Sequence, residues 1–501
     1  MATASQNSPH QHKPCPEPFQ VSDVNRLRRF LCLGSEQGTY NIYEHDLGLE
    51  NAAVVMKLIE DGKGEQVISE IIKFSVEGRT AKQEPSLFAL AMCSKVPDEH
   101  DFVNVRNAAN KAVCQICRIP THLFQYINYC EHLAKKTGWC RAQRAAVQKW
   151  YNDKTPQELA YYVTKYRSRS GWSHKDIVKL AHVKPQRKET SVVLRYTVHG
   201  LSKAKEMYKD DKEAGLQELL AYFDAVETLK QTKDEQVAAR YIEQHKFVWE
   251  HVPTWLLNSK EVWRALLQDI PLLTLIHRLG KLTSLKLLQP ESPETARVVD
   301  KLQDEKLLTS ARIHPFTLHV ASKQYAQGKS RHDKVKWTPT PAVTKALDEA
   351  FLKSFQTIEQ TGKHFILAVD ASTTMTHGGV NGSPQVTPLE TAAAMAMVTL
   401  RTEQKQNCRM VTFSQTVHEL SLTREMSVKD IHDNMLEKMA HAGPAKGDPK
   451  DCAQPILWAL KERVPTDVFI IYTDSELNMS TESPEEAIWR YRQEMGLPHT
   501  K

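Results

Sequence analysis

Along most of the chain the apolar positions recur at helical spacing. From about Val21 to Phe355 one amphipathic segment follows another, with little that reads as strand. Asn51 to Glu60 and Glu65 to Phe74 are two such segments, separated by Asp61-Gly62-Lys63-Gly64, and a third, Ser86 to Cys93, starts behind Pro85. Thr155-Pro156-Gln157-Glu158 has the form of a capping box with proline at the first helical position, and predicts a helix from there. Ser259 to Gln268 and Pro271 to Leu279 form a pair broken at a proline. Short helices joined by Gly- or Pro-marked turns predict an α-solenoid of irregular, HEAT-like repeats, with an all-α bundle as the alternative.

After Phe355 the pattern changes. Phe365 to Val369 is a short apolar run without polar alternation, as expected of a parallel strand covered on both faces. It is followed by a Gly/Pro loop (Gly378 to Pro388), a helix (Leu389 to Leu400), a hairpin (Met410–Phe413 with Val417–Leu420) and a helix near Val428–Met439. The loop Ala442 to Asp451, helix Ala453–Lys461, strand Val468–Tyr472 and a helix capped by Ser483-Pro484-Glu485-Glu486 complete it. Alternating strands and helices predict a doubly wound sheet. The expected organisation is a disordered tail over 1–20, a helical-repeat domain over 21–360 and an α/β domain over 361–501. The apolar strand Val468–Tyr472 is expected to carry an unprotected edge.

A length of 501 residues fits roughly two to four domains. No apolar run approaches the ~18 residues that span a bilayer, and the polar, proline-containing first twenty residues lack the apolar core of a signal peptide. Nine cysteines without regular spacing imply a reduced intracellular compartment. The net charge of +6 is unevenly shared: residues 363–501 hold 14 Lys/Arg against 18 Asp/Glu, and residues 1–362 the remaining 52 against 42. An acidic partner is therefore expected at the helical part.

Within that part, Lys165 to Lys188 (K-Y-R-S-R-S-G-W-S-H-K-D-I-V-K-L-A-H-V-K-P-Q-R-K) holds eight Lys/Arg against the single acid Asp176. Cations neutralise phosphates, and the flat rings of Tyr166, Trp172, His174 and His182 can stack on bases. Asp176 to His182 reads as helix, which places Lys175, Lys179 and His182 on one face at i, i+4 and i+7. Arg141, Arg144 and Lys149 add a weaker basic signal. The alternative is a solvated helix face with Trp172 as a core anchor.

At the end of the first apolar strand, Asp370, Ser372 and Thr374 set one carboxylate and two hydroxyls at i, i+2 and i+4. Ligands gather at the carboxyl ends of parallel strands, and oxygen donors suit a hard ion such as Mg2+. The alternative is that Asp370 caps a turn and the hydroxyls bond the backbone. Cys114-Gln-Ile-Cys117, with Cys130 and His132 downstream, has zinc-pair spacing but lies among Val113, Ile116 and Ile119, which reads as a buried helix face. No nucleophile elbow, Walker A loop or dinucleotide fingerprint is present, and no general base accompanies Asp370 and Asp474, so no enzymatic activity is expected.

The D-x-S-x-[ST]-M pattern at Asp370 resembles the metal-ion-dependent adhesion site of von Willebrand factor type A domains. The chain as a whole resembles the Ro group of the telomerase–Ro–vault (TROVE) module family. The resemblance rests on Asn25 to Tyr40 (N-R-L-R-R-F-L-C-L-G-S-E-Q-G-T-Y), Glu77 to Pro85 (E-G-R-T-A-K-Q-E-P), Arg118 to Phe124 (R-I-P-T-H-L-F), Gly171 to Asp176 (G-W-S-H-K-D), Ala311 to Phe316 (A-R-I-H-P-F) and Lys363 to Ser372 (K-H-F-I-L-A-V-D-A-S). It implies a ring of irregular helical repeats closed by a type A domain. It also implies binding of misfolded noncoding RNAs by single-stranded 3′ ends in a basic central hole, and of Y RNAs on the outer surface. Lys165, Arg169 and His182 take the family's Y RNA contacts. Asp370, Ser372, Thr374 and Asp474 take its metal positions, whereas Lys450 stands where a threonine usually precedes Asp451. Because a type A domain normally continues beyond the point where this sequence stops, a C-terminally shortened domain is expected. The expected role is noncoding-RNA quality control within a ribonucleoprotein particle, in the cytoplasm and also the nucleus. The rival expectation is a protein-interaction scaffold that uses the type A metal face without binding RNA.

Overall fold

The computed structural model describes residues 21–35, 48–80, 82–97, 102–134, 138–330, 334–380, 383–414, 416–442, 451–474 and 482–501. The tail over 1–20 and Lys450, with most of its loop, lie outside them. The chain forms two compact units that divide between Asp269 and Ile270.

In the unit over 21–269 the elements are almost all helices, among them Ala53–Glu60, Gly64–Glu77, Glu84–Ser94, Val103–Ile116, Pro120–Leu133 and Arg141–Asp153. The expected segments are present with ends shifted by a few residues. Helix Pro156–Lys165 begins where the capping pattern places it: Thr155 Oγ1 accepts from the Glu158 N–H at 3.1 Å. Glu84–Ser94 is buried on every side from Pro85 to Ser94, which is why its apolar pattern carries little periodicity. Cys117 and Cys130 lie fully buried in this core beside Val113, Ile116 and Tyr126, so the C-x-x-C segment is packing material. Trp150 is buried there too, its indole N–H donating to the Cys117 carbonyl.

Two short strands interrupt the helices. β1 (Ser168–Arg169) pairs antiparallel with β2 (Trp172–Ser173), and the connecting Ser170 and Gly171 both have positive φ, 52° and 78°. Two successive left-handed residues are what a tight hairpin needs to match strand twist, and Gly171 supplies one without a Cβ penalty. Helix His174–Leu180 follows directly. Ser173 and Asp176 form a reciprocal capping box at its start.

The unit over 270–501 opens with helices Leu272–Ser284, Pro293–Gln303, Glu305–Ala311, Pro315–Ala326 and Pro341–Lys353, and continues into an α/β part. Its sheet contains β3 (Phe365–Asp370), β4 (Cys408–Phe413), β5 (Val417–Leu420) and β6 (Val468–Tyr472), in the order β5-β4-β3-β6. β3 runs parallel to both β4 and β6, and β5 turns back antiparallel on β4. β3 is central and buried from Ile366 to Asp370, as its unbroken apolar run requires. β6 is half-buried rather than bare. The N–H of Phe469 donates to the Lys501 carbonyl at 2.8 Å, the N–H of Lys501 donates to the Asp467 carbonyl at 2.9 Å, and Tyr491 packs edge-on against Phe469. The expectation of an unprotected edge is thus corrected at the start of this strand.

One carboxylate fastens the segment entering β3. Glu403, buried past the end of helix Pro388–Thr402, accepts from the N–H and hydroxyl of Thr361 and from the N–H of Gly362. A second holds a helix pair: Glu390, on that same helix, sits 2.5 Å from Lys323 Nζ and 3.6 Å from His319 Nε2 on Pro315–Ala326. Among the described residues no helix is long and apolar enough to cross a membrane.

Candidate nucleic-acid interface

The basic stretch runs from the end of helix Pro156–Lys165 through the β1–β2 hairpin and helix His174–Leu180 to the loop beyond it. The core fixes this run at three points. Ser170 Oγ donates to Gln125 Oε1 at 2.6 Å, Trp172 packs against Trp139 with ring centroids 6.1 Å apart, and His174 Nδ1 meets the Tyr151 hydroxyl at 2.7 Å. Two sequence expectations change as a result. His174 is only 2% exposed, and burial pushes its pKa down to about 3, so it is a neutral core residue that RNA cannot reach. Trp172 is half-buried and joins the hydrophobic core, the anchor reading rather than an open stacking surface.

The cations remain outside. Arg169, Lys175, Lys179 and His182 are exposed, as are Arg141 and Arg144 on helix Arg141–Asp153. The helix expected to reach His182 ends at Leu180. His182 instead occupies the left-handed position after the cap, with φ 50°. Its N–H donates to Lys179 O and the Val183 N–H to Val178 O, the paired bonds of a Schellman motif. The i, i+7 relation that would align it with Lys175 therefore does not hold. A different contact places it: Gln148 Nε2 donates to the carbonyls of Ala181 and His182 at 2.8 and 3.3 Å. Gln148 lies one turn from Arg144 and two from Arg141, so the weaker basic signal belongs to the same surface. Asn152, one turn further on, donates to the Lys184 carbonyl and accepts from the Gln186 N–H.

Lys165 differs from the others. Its side chain is 14% exposed, its ammonium lies 5.3 and 5.0 Å from the ring centres of Tyr161 and Tyr166, and its Nζ donates to the Tyr161 hydroxyl. Burial works against its charge, but Tyr161, Glu250 and Tyr166 outweigh it and hold the pKa above the ordinary lysine value. It lines a cleft of about 670 Å3 with Tyr166, Arg167, Arg169, Lys230 and the segment 249–255. Sequence reading missed that segment. Its 3-10 turns, Trp249–His251 and Thr254–Asn258, carry no period, and it lies some eighty residues from Lys165. The available signal was a pair of tryptophans bracketing Pro253.

His251 ties this segment to the basic helix. Its Nδ1 accepts from the Val248 N–H, so its Nε2–H donates to Thr164 Oγ1 at 3.0 Å. Burial, followed by the charges of Lys165, Lys230 and Arg167, pushes its pKa down to about 4. Three cations acting on one imidazole show how closely positive charge converges here.

In the other unit the end of β3 brings the oxygen donors together. The Ser372 N–H donates to Asp370 Oδ1 at 2.8 Å, and Thr473 Oγ1 to Asp370 Oδ2 at 2.8 Å. Ser372 Oγ and Thr374 Oγ1 are 3.0 Å apart, and Thr374 Oγ1 donates to Asp474 Oδ1 at 3.0 Å. Two carboxylates and three hydroxyls within one hydrogen-bonded cluster, those of Ser372 and Thr374 among them, are a donor set that fits a hard divalent ion. Asp451 is buried, its carboxylate accepting from the Ala453 N–H and Gln454 Nε2.

The TROVE domain model matches residues 12–325, and the Ro60 vWA domain model matches residues 364–501. The RNA-binding protein RO60 of Caenorhabditis elegans is 31% identical, over 96% of this chain and 82% of its own length. The RNA-binding protein RO60 of Deinococcus radiodurans is 32% identical, over 95% and 85%. The crystal structure of the Deinococcus radiodurans RO (RSR) protein superposes with a TM-score of 0.81 at 30% identity, over 95% of this chain and 90% of that one. With helices that carry an ordered basic run and a small mixed sheet after them, the chain belongs to the Ro60 family of TROVE-domain proteins.

Proposed function

We propose that this chain is a non-catalytic RNA-binding protein. Its ligands are Y RNAs and misfolded small noncoding RNAs with free 3′ ends, and it acts in RNA quality control within a ribonucleoprotein particle of the cytoplasm and nucleus. One observation carries the reading: Arg169, Lys175, Lys179 and His182 are exposed on a run whose Trp172 and His174 are committed to the core, so their spacing is fixed before RNA arrives. The relatives named for RNA binding support it. Lys165, Arg169 and His182 serve as Y RNA contacts, with Lys175, Lys179, Arg141 and Arg144 extending the surface. Fixed cations give affinity through counterion release, while RNA shape and unpaired ends give selectivity.

The test is binding of a Y RNA and of a 3′-tailed RNA across a salt series, with the native chain and Lys165→Ala/Arg169→Ala/His182→Ala. The triple variant should lose Y RNA affinity and flatten the salt slope by about one unit per phosphate contact removed, while the tailed RNA still binds. Failure of the native chain to bind either RNA at moderate salt would end this reading and promote the scaffold alternative.

At the β3 end, Asp370, Ser372, Thr374 and Asp474 would hold a divalent ion, Mg2+ by its preference for oxygen, and the ion would offer an open coordination position to a partner's carboxylate. Mg2+ should raise the melting temperature of the native chain but not of Asp370→Ala/Ser372→Ala.

A further inference from the structure

The cleft beside Lys165 contains two groups that phosphate binding does not use. Trp255 is 57% exposed, yet its ring is fixed, because the indole N–H donates to the Thr232 carbonyl at 3.2 Å. A large aromatic side chain held in place yet more than half exposed is costly in water and well suited to stacking. Glu250 is the second. Its Oε1 lies 3.8 Å from Lys165 Nζ, whereas its Oε2 is buried and has no hydrogen-bond partner among the described residues. A buried carboxylate oxygen without a donor is unfavourable unless a ligand supplies one. Both groups line the same cleft as Lys165, Arg167, Arg169 and Lys230, and its volume of about 670 Å3 falls within the usual range of ligand sites.

We propose that this cleft seats one unpaired base of the bound RNA, stacked on Trp255 with its donor edge on Glu250, while Lys165, Arg167 and Arg169 hold the flanking phosphates. The proposal rests on the RNA reading above and adds base selectivity to it. Among the four bases, guanine presents two adjacent donors, N1–H and N2–H, on its Watson–Crick edge. Uracil, cytosine and adenine each set a donor beside an acceptor, which a carboxylate can only repel. Guanine is therefore the preferred occupant. His251 holds the carboxylate-bearing segment against helix Pro156–Lys165, so stacking surface, carboxylate and cations are set before the base arrives.

The experiment uses the full chain and fluorescein-labelled, unstructured RNA hexamers that differ at one central position: guanine, uracil or an abasic sugar. The native chain should bind the guanine hexamer about tenfold or more tighter than the abasic one. Trp255→Ala should erase that preference without changing the salt slope, and Trp255→Phe should restore part of it. Glu250→Gln should keep the preference for a base over no base but lose that for guanine over uracil. Melting temperatures of the variants verify their folding. If Trp255→Ala and Glu250→Gln retain native affinities and preferences while Lys165→Ala/Arg169→Ala still weakens Y RNA binding, the base seat is wrong and the RNA reading stands. If the native chain binds no RNA, both fall.

Discussion

His182 occupies a backbone position that glycine would fill more cheaply. A left-handed residue with a Cβ carries a penalty of about 1–2 kcal/mol, and the Schellman motif normally places glycine there. His182→Gly should therefore leave the melting temperature unchanged or raise it, by the equivalent of up to about 1 kcal/mol, while Y RNA affinity falls. Thermal denaturation together with an RNA titration checks both halves. A lowered melting temperature with unaltered binding would show that the imidazole serves the fold. The same residue marks a limit of sequence reading. His174 and His182 look equivalent in a basic run, yet one is neutral in the core and the other exposed. What separates them is the Tyr151 hydroxyl, which lies on a different helix and leaves no local trace.

Among the elements, the helix pair Pro315–Ala326 and Pro388–Thr402 is joined by a partly buried carboxylate. Burial opposes the charge of Glu390, but His319 and Lys323 outweigh it and hold the pKa at about 2 against an ordinary 4.5. A depressed carboxylate value means that its stabilisation is complete above the ordinary value and is lost as pH falls from about 4.5 towards 2. Glu390→Gln should lower stability near neutral pH by on the order of 1–2 kcal/mol and make its decline between pH 5 and 3 shallower, as denaturant titrations at each pH would show. Elements with a clear period were legible in sequence. The apolar run of β3, the β4–β5 hairpin and the Thr155 cap all occur where expected, because burial on two faces, a short turn and a local cap each leave a local pattern. The β1–β2 hairpin was not legible: two-residue strands are too short to show alternation.

At the scale of the whole molecule, the charge split found in the sequence follows the change from helical to α/β grammar near residue 363 rather than the division at Ile270: the exposed basic run lies in the unit over 21–269, and the carboxylates at the end of β3 lie in the acidic stretch 363–501. The division at Ile270 was not legible in composition, because helical grammar continues across Pro271 without a change. The Trp255 cleft was equally hidden, since it is assembled from the ends of segments far apart in the chain.

The hairpin that carries Arg169 is fastened through Ser170 to Gln125, through Trp172 to Trp139 and through His174 to Tyr151. A binding surface already locked in this way has little to order when its ligand arrives. Association with a folded RNA should then be fast at low ionic strength and slow sharply as salt is added, because steering rather than rearrangement sets the rate. Its heat-capacity change should be small, for little apolar area remains to be withdrawn from water. Titration calorimetry at several temperatures would detect the opposite case, a hairpin that folds onto its RNA, as a large negative value.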